Sequence, residues 1–196
     1  MSWLFLTSGL FLGWSLGAND AANFFGTAVA TRMLRFRTAA LVGSLFVVLG
    51  AWSGAQGTAK TLGHLGAIDA PAGAFTVALA AAAALALTLS KSGLPVSSTQ
   101  AIVGAIVGWN LFNGRPTDLK TLTELLSSWI LCPILSGGLA AGLFLAIRRF
   151  VYRLRLHLLE ADTWLRFAFI VAGAFGAYGL GQNNIANVMG VFVRVS

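Results

Sequence analysis

Asp20 lies between Asn19 and Asn23 in the stretch GANDAANFFGT, Gly17–Thr27, where most other residues are apolar or small. Of the six acidic residues it alone sits well inside an apolar run; Asp69, Asp118, Glu124, Glu160 and Asp162 fall in expected loops or at segment ends. A carboxylate at the centre of a membrane helix costs about 2.5–3.5 kcal/mol on insertion scales, so it persists only where something compensates it. A bound cation, an exchangeable proton or a water-filled cavity would do so. Asn19 and Asn23, four apart, share a helix face that Asp20 and Thr27 flank. Such amides can also serve only as hydrogen-bonding links between helices. Recurrence favours binding: GQNNIANVMGV, Gly181–Val191, repeats the pattern near the end of the chain. Aligning Gly17 on Gly181 pairs Asn19 with Asn183, Asn23 with Asn187, Gly26 with Gly190 and Val29 with Val193, and sets Asp20 opposite Asn184. The polar positions agree better than the apolar ones, the reverse of what shared membrane composition would produce.

A second set of polar residues follows a helix breaker. In SGLPVSSTQ, Ser92–Gln100, Gly93 and Pro95 interrupt a helix. Ser97 or Ser98 suits the N-cap of the helix that resumes. Three successive hydroxyls, Ser97, Ser98 and Thr99, exceed what a cap needs, and with the free N–H groups of a helix start they suit an anion. Carboxylate and amide oxygens suit a hard cation or a proton. A cation and an anion held side by side offset each other's burial, which is the logic of ion-coupled symport near the bilayer midplane.

The elements that must position these groups are helices in a membrane. The chain is 57% hydrophobic and 10% charged, with a mean hydropathy of +0.81, whereas soluble domains run near a quarter charged. Apolar segments fall at about 3–30, 38–56, 73–90, 99–112, 124–147 and 167–193. The first has no basic region ahead of it and reads as a retained span rather than a signal peptide. The short fourth segment predicts a re-entrant or discontinuous element around 92–100. Irregular backbone at membrane depth is tolerated only within protein or beside a water-filled cavity.

Nine of the thirteen Lys and Arg residues fall on one side if the N-terminus lies outside: Arg32, Arg35, Arg37, Lys91, Arg148, Arg149, Arg153, Arg155 and Arg166. Lys60, Arg115, Lys120 and Arg194 fall on the other. This places the basic loops 32–37 and 148–166 in the cytoplasm. The stretch 148–166 reads either as an amphipathic helix on the membrane surface or as a charge cluster that fixes topology. Such placement also argues against nucleic acid as the partner of the +7 net charge. The two Asn motifs then lie on antiparallel helices, the signature of an inverted-topology repeat. The fold class is an all-α polytopic membrane protein forming a single transmembrane domain over 1–196. Its first repeat covers about 1–147, a basic linker 148–166, and the start of a second repeat 167–196. Cys132, the single cysteine, is expected to be buried and inert. His64 and His157 are isolated and given no role. There is no nucleophile–base pair and no metal-ligand cluster, so the chain does not read as an enzyme.

GANDAANFFGTAVATR together with LPVSSTQAIVGAIVGWN resembles the inorganic phosphate transporter (PiT) family, and GQNNIANVMG resembles the opening of that family's second half. The resemblance runs over essentially the whole chain. It implies a homodimeric, cation-coupled (Na+ or H+) inorganic phosphate symporter of the cell membrane, with no cofactor beyond the coupling ion. Carried over by position, phosphate would be bound by Asn23, Ser97, Ser98, Thr99 and Asn187. The cation would be bound by Asn19, Asp20, Asn183 and Asn184, with Na+ at Asp20. Some members move sulfate, so a sulfate permease is one alternative; a non-transporting binding or assembly subunit is another. Three departures bear on the transfer. Asn184 stands where the second motif often has Asp, which removes a negative charge. Gln100 stands where many members have His. The family's second Ser/Thr loop has no counterpart before Ser196, so the chain is expected to be a piece of a longer transporter.

Overall fold

All regular structure among the described residues is helical. The computed structural model describes residues 3–54, 62, 65, 68–154 and 157–192. Lys60, His64, Arg155, Val193, Arg194 and Ser196 lie outside the described residues. Among the described residues seven helices follow in order: α1 Trp3–Asp20, α2 Ala22–Ala30, α3 Phe36–Gly54, α4 Pro71–Ser92, α5 Ser98–Phe112, α6 Leu119–Leu154 and α7 Leu158–Gly190. The chain divides into two compact units, Met1–Asp118 with Phe169–Ser196, and Leu119–Ala168.

The first unit is built on a stripe of small residues. Ala74, Val77, Ala78, Ala81, Ala82 and Leu85 recur at helical spacing on α4 and are buried. Helix α4 packs against α1, where Leu12 and Leu16 are buried, and against α5, where Ile102, Val103 and Ile106 are buried. Water is not what drives these helices together in a bilayer, and small side chains permit the close contact that does. Phe25, Ala28, Leu34 and Ala39 form a second cluster, joined by Phe169 and Ile170 of α7. Further along, α3 and α7 meet backbone to backbone. A methyl group on Gly50 would run into the Tyr178 carbonyl, and one on Gly181 into the Val47 carbonyl.

Among the described residues four helices are long and apolar enough to cross a membrane: α3, α4, the Leu119–Val151 part of α6 and the Leu159–Gly190 part of α7. The chain is therefore a polytopic helical membrane protein. The first expected span, 3–30, is instead divided at Ala21, with Asn19 and Asp20 at the end of α1. The expected break near 92–100 is present. Gly93, at φ 66°, caps α4 in the left-handed region that glycine adopts freely, and its N–H donates to the Leu89 carbonyl at 2.8 Å. Residues 93–97 are non-helical before α5 begins. The 15 residues of α5 span about 22 Å, short of the ~30 Å hydrocarbon core.

In the second unit, the expected basic linker 148–166 is mostly helix. Helix α6 runs on through Arg148, Arg149 and Arg153 to Leu154, and α7 starts at Leu158. Arg and Leu are good helix formers, so the helix does not stop where the apolar run stops. Cys132, expected to be buried, is exposed; within its own unit the apolar stretch of α6 is not buried at all.

Candidate functional site

The break between α4 and α5 lies against the end of α1. Asn19 is 2% exposed and Asp20 7%, which makes the partners of both side chains matter. The Asn19 amide pairs with one backbone residue twice: its Oδ1 accepts from the Val96 N–H at 2.9 Å, and its Nδ2 donates to the Val96 carbonyl at 2.6 Å. This satisfies both polar groups of an unwound residue, each of which would cost several kcal/mol if left bare in hydrocarbon. Asn19 thus fixes the segment 93–97, and the same Nδ2 lies 2.8 Å from Asp20 Oδ1.

Asp20 is held by three donors from three helices. The Ser98 hydroxyl lies 3.0 and 3.2 Å from the two carboxylate oxygens, Asn19 contributes from α1, and Asn184 Nδ2 of α7 donates to Oδ2 at 3.2 Å. A buried carboxylate with several donors is stabilised in place without a countercharge from Lys or Arg. One turn further along α7, Asn187 is fully buried and its Nδ2 donates to Thr99 Oγ1 at 3.3 Å. The other atom of each amide, Asn184 Oδ1 and Asn187 Oδ1, is buried without a hydrogen-bond partner among the described residues. Ser15 Oγ, one turn before Asn19, is in the same condition. Ser97 is the cap of α5, its hydroxyl accepting from the Gln100 N–H at 3.4 Å.

Of the nine residues expected to form a site, the structure brings together Asn19, Asp20, Ser98, Thr99, Asn184 and Asn187. Ser97 is adjacent but exposed, and Asn23 and Asn183 are exposed on α2 and α7. The sequence reading missed Val96, which enters through its backbone and carries no side-chain signal. It also missed Asn110, which is fully buried on α5 and donates to Thr117 Oγ1 at 3.0 Å and to the Leu65 carbonyl at 3.4 Å. An Asn inside an otherwise apolar helix was the available signal. Among the described residues no group of three or more His, Cys, Asp or Glu could hold a metal ion.

A bundle of apolar helices enclosing a single carboxylate, hydroxyls and amides at a helix break defines a polytopic membrane protein with a polar site inside its helices. The chain belongs to the phosphate transporter family, whose model matches residues 16–196. It is 29% identical over 201 residues to a sodium-dependent phosphate transporter of Plasmodium falciparum, an alignment covering 94% of this chain and 30% of that protein. It is 32% identical over 164 residues to the chloroplastic inorganic phosphate transporter 2-1 of Arabidopsis thaliana, covering 78% and 28%. It is also 32% identical over 188 residues to a protein of Pyrococcus abyssi whose name proposes a phosphate permease, covering 87% and 46%. The chain thus spans less than half the length of each of these relatives. No solved structure matches it at a significant level.

Proposed function

We propose that this chain is part of a cation-coupled inorganic phosphate symporter of the cell membrane, driven by Na+ or H+ and working as a homodimer. The observation that carries this reading is the buried Asp20 carboxylate held against the hydroxyl-bearing start of α5, with the acceptors Asn184 Oδ1 and Asn187 Oδ1 close by. Hydrogen phosphate accepts from hydroxyls, amides and helix N–H groups, and it keeps an O–H that can donate to an amide oxygen. Sulfate has no such proton at neutral pH. Ser97, Ser98, Thr99, Asn23 and Asn187 serve the anion, and Asp20, Asn184, Asn183 and Asn19 the cation, with Na+ or the proton at Asp20. Asn19 acts mainly by positioning the loop.

The repeat gives Asn23 and Asn183 their part. Asn183 corresponds to Asn19, and Asn23 to Asn187. The two exposed asparagines are therefore the counterparts of the two that clasp the loop around Val96 and Thr99. They serve a second hydroxyl-bearing loop, of the kind the family resemblance implies, contributed by the rest of the transporter. The N-terminus lies outside and the Arg-rich ends of α1–α2 and α6 inside the cell, as the distribution of Lys and Arg favours.

The test is uptake of labelled phosphate into proteoliposomes by the full-length transporter, under a Na+ or a pH gradient. Asp20→Asn lowers cation-driven uptake by roughly 100-fold, the scale of losing a charged, hydrogen-bonded group. Undiminished cation-driven uptake would remove Asp20 from the mechanism. Sulfate competing as well as phosphate would make the protein a sulfate permease, and phosphate binding without flux would make it a sensor or assembly subunit.

A further inference from the structure

The Arg-rich end of α6 takes no part in the site just described. Leu145, Arg148, Arg149 and Arg153 line a crevice of about 540 Å³ in the second unit. They fall at i, i+3, i+4 and i+8, a single helix face about 140° wide. All four are exposed. Like charges at i, i+4, as Arg149 and Arg153 are, repel one another. Among the described residues neither has an ion-pair partner, and Asp162 of the same unit is committed to Arg166 at 2.6 Å. An anion between the guanidiniums relieves that repulsion.

The other end of the same face says which anion. Towards its N-terminus α6 carries no charged residue from Leu125 to Ile147, with Ile134 and Leu145 on this face more than half exposed. Gly138, Ala141 and Gly142 lie on the face above Leu145, and a methyl group on either glycine would meet nothing within 4 Å. The face is therefore an open apolar strip of small residues running into a fork of guanidiniums, one turn from apolar to charged. Guanidinium pairs phosphate oxygens bidentately, and basic clusters at the end of a membrane helix attract anionic lipid. We propose that this face binds an anionic phospholipid, its phosphate between Arg148, Arg149 and Arg153 and an acyl chain along Leu145, Gly142 and Gly138.

Reconstitute the full-length transporter in phosphatidylcholine bilayers carrying spin-labelled phosphatidylglycerol or spin-labelled phosphatidylcholine, and measure the fraction of each label immobilised on the protein. The wild type immobilises phosphatidylglycerol in preference. In the double variant Arg149→Gln, Arg153→Gln the preference falls roughly fivefold for each guanidinium removed, the equivalent of about 1 kcal/mol each. Arg115→Gln, in the other unit, leaves it unchanged. Arg149→Lys with Arg153→Lys retains most of it, which separates loss of charge from loss of fold. Equal immobilisation of the two lipids by the wild type, or an unchanged preference in the Gln double variant, overturns the proposal. Displacement of the lipid by millimolar inorganic phosphate overturns it as well, because the crevice would then be a site for the free ion.

Discussion

The two Asn motifs are close in sequence and unlike in structure. The first lies where α1 gives way to α2, with Asn19 and Asp20 buried and Asn23 exposed. The second lies within continuous α7, with Asn183 exposed, Asn184 half-buried and Asn187 buried. Both meet at the start of α5, but with different members: the first with its leading asparagine and its carboxylate, the second with its trailing amide on Thr99, while its middle amide reaches Asp20. The glycines differ as well. Nothing lies within 4 Å of a methyl group placed on Gly17, whereas Gly181 is locked against the backbone of α3. A repeated motif thus supplies the same functional groups twice, while its surroundings decide which group faces the shared loop.

Substitutions at paired positions break or sharpen that contrast. Asp20→Asn has the largest effect, the roughly 100-fold loss of cation-driven uptake described above, whereas Asn184→Ala, which removes one neutral donor from the carboxylate, reduces uptake about tenfold. Equal losses at the two positions would mean that the halves are electrically equivalent after all. Gly181→Ala destabilises the protein by about 2–3 kcal/mol, since its methyl group meets backbone that cannot swing aside. Gly17→Ala changes stability by no more than about 0.5 kcal/mol in either direction; unfolding in detergent compares the two. Asn19→Ala costs about 2 kcal/mol, because it strips both partners from Val96, and Asn183→Ala leaves stability within about 0.5 kcal/mol. If Asn183→Ala unfolds the protein as readily as Asn19→Ala, the two amides do the same work and the contrast fails. Weaker than Gly181→Ala or Asn19→Ala is Tyr178→Phe, at about 1 kcal/mol, which removes the hydroxyl that pairs with Ser53 at 2.7 Å beside the α3–α7 contact. No change in thermal unfolding would show that the glycines alone hold that contact.

Much of this was legible in the sequence, for reasons that differ by element. The break at 93–97 announced itself through Gly93 and Pro95, whose backbone limits act locally. Asp20 stood out because its burial cost is intrinsic to the residue. Ser97 followed from cap chemistry. Other features depend on residues distant in the chain. Asn19 read as a potential ion ligand, yet its amide is engaged with backbone 77 positions away. Gly50 was one among 23 glycines, and Gly181 only a motif position, until α3 and α7 were seen to touch. The apolar segment 124–147 does not mark the end of α6, which runs to Leu154, because hydropathy marks where the bilayer ends, whereas helix propensity marks where the helix ends.

The clasp of Asn19 on Val96 has a consequence for how the protein is made. Chains emerge N-terminus first, so Asn19 is already in place when the segment 93–97 leaves the ribosome. The unwound residues enter the bilayer with a partner waiting for their exposed N–H and C=O groups. A chain lacking that asparagine would have to bring the same backbone into lipid bare. Its defect would then appear during biogenesis, as poor insertion and rapid degradation, before the folded protein could be assayed for any activity.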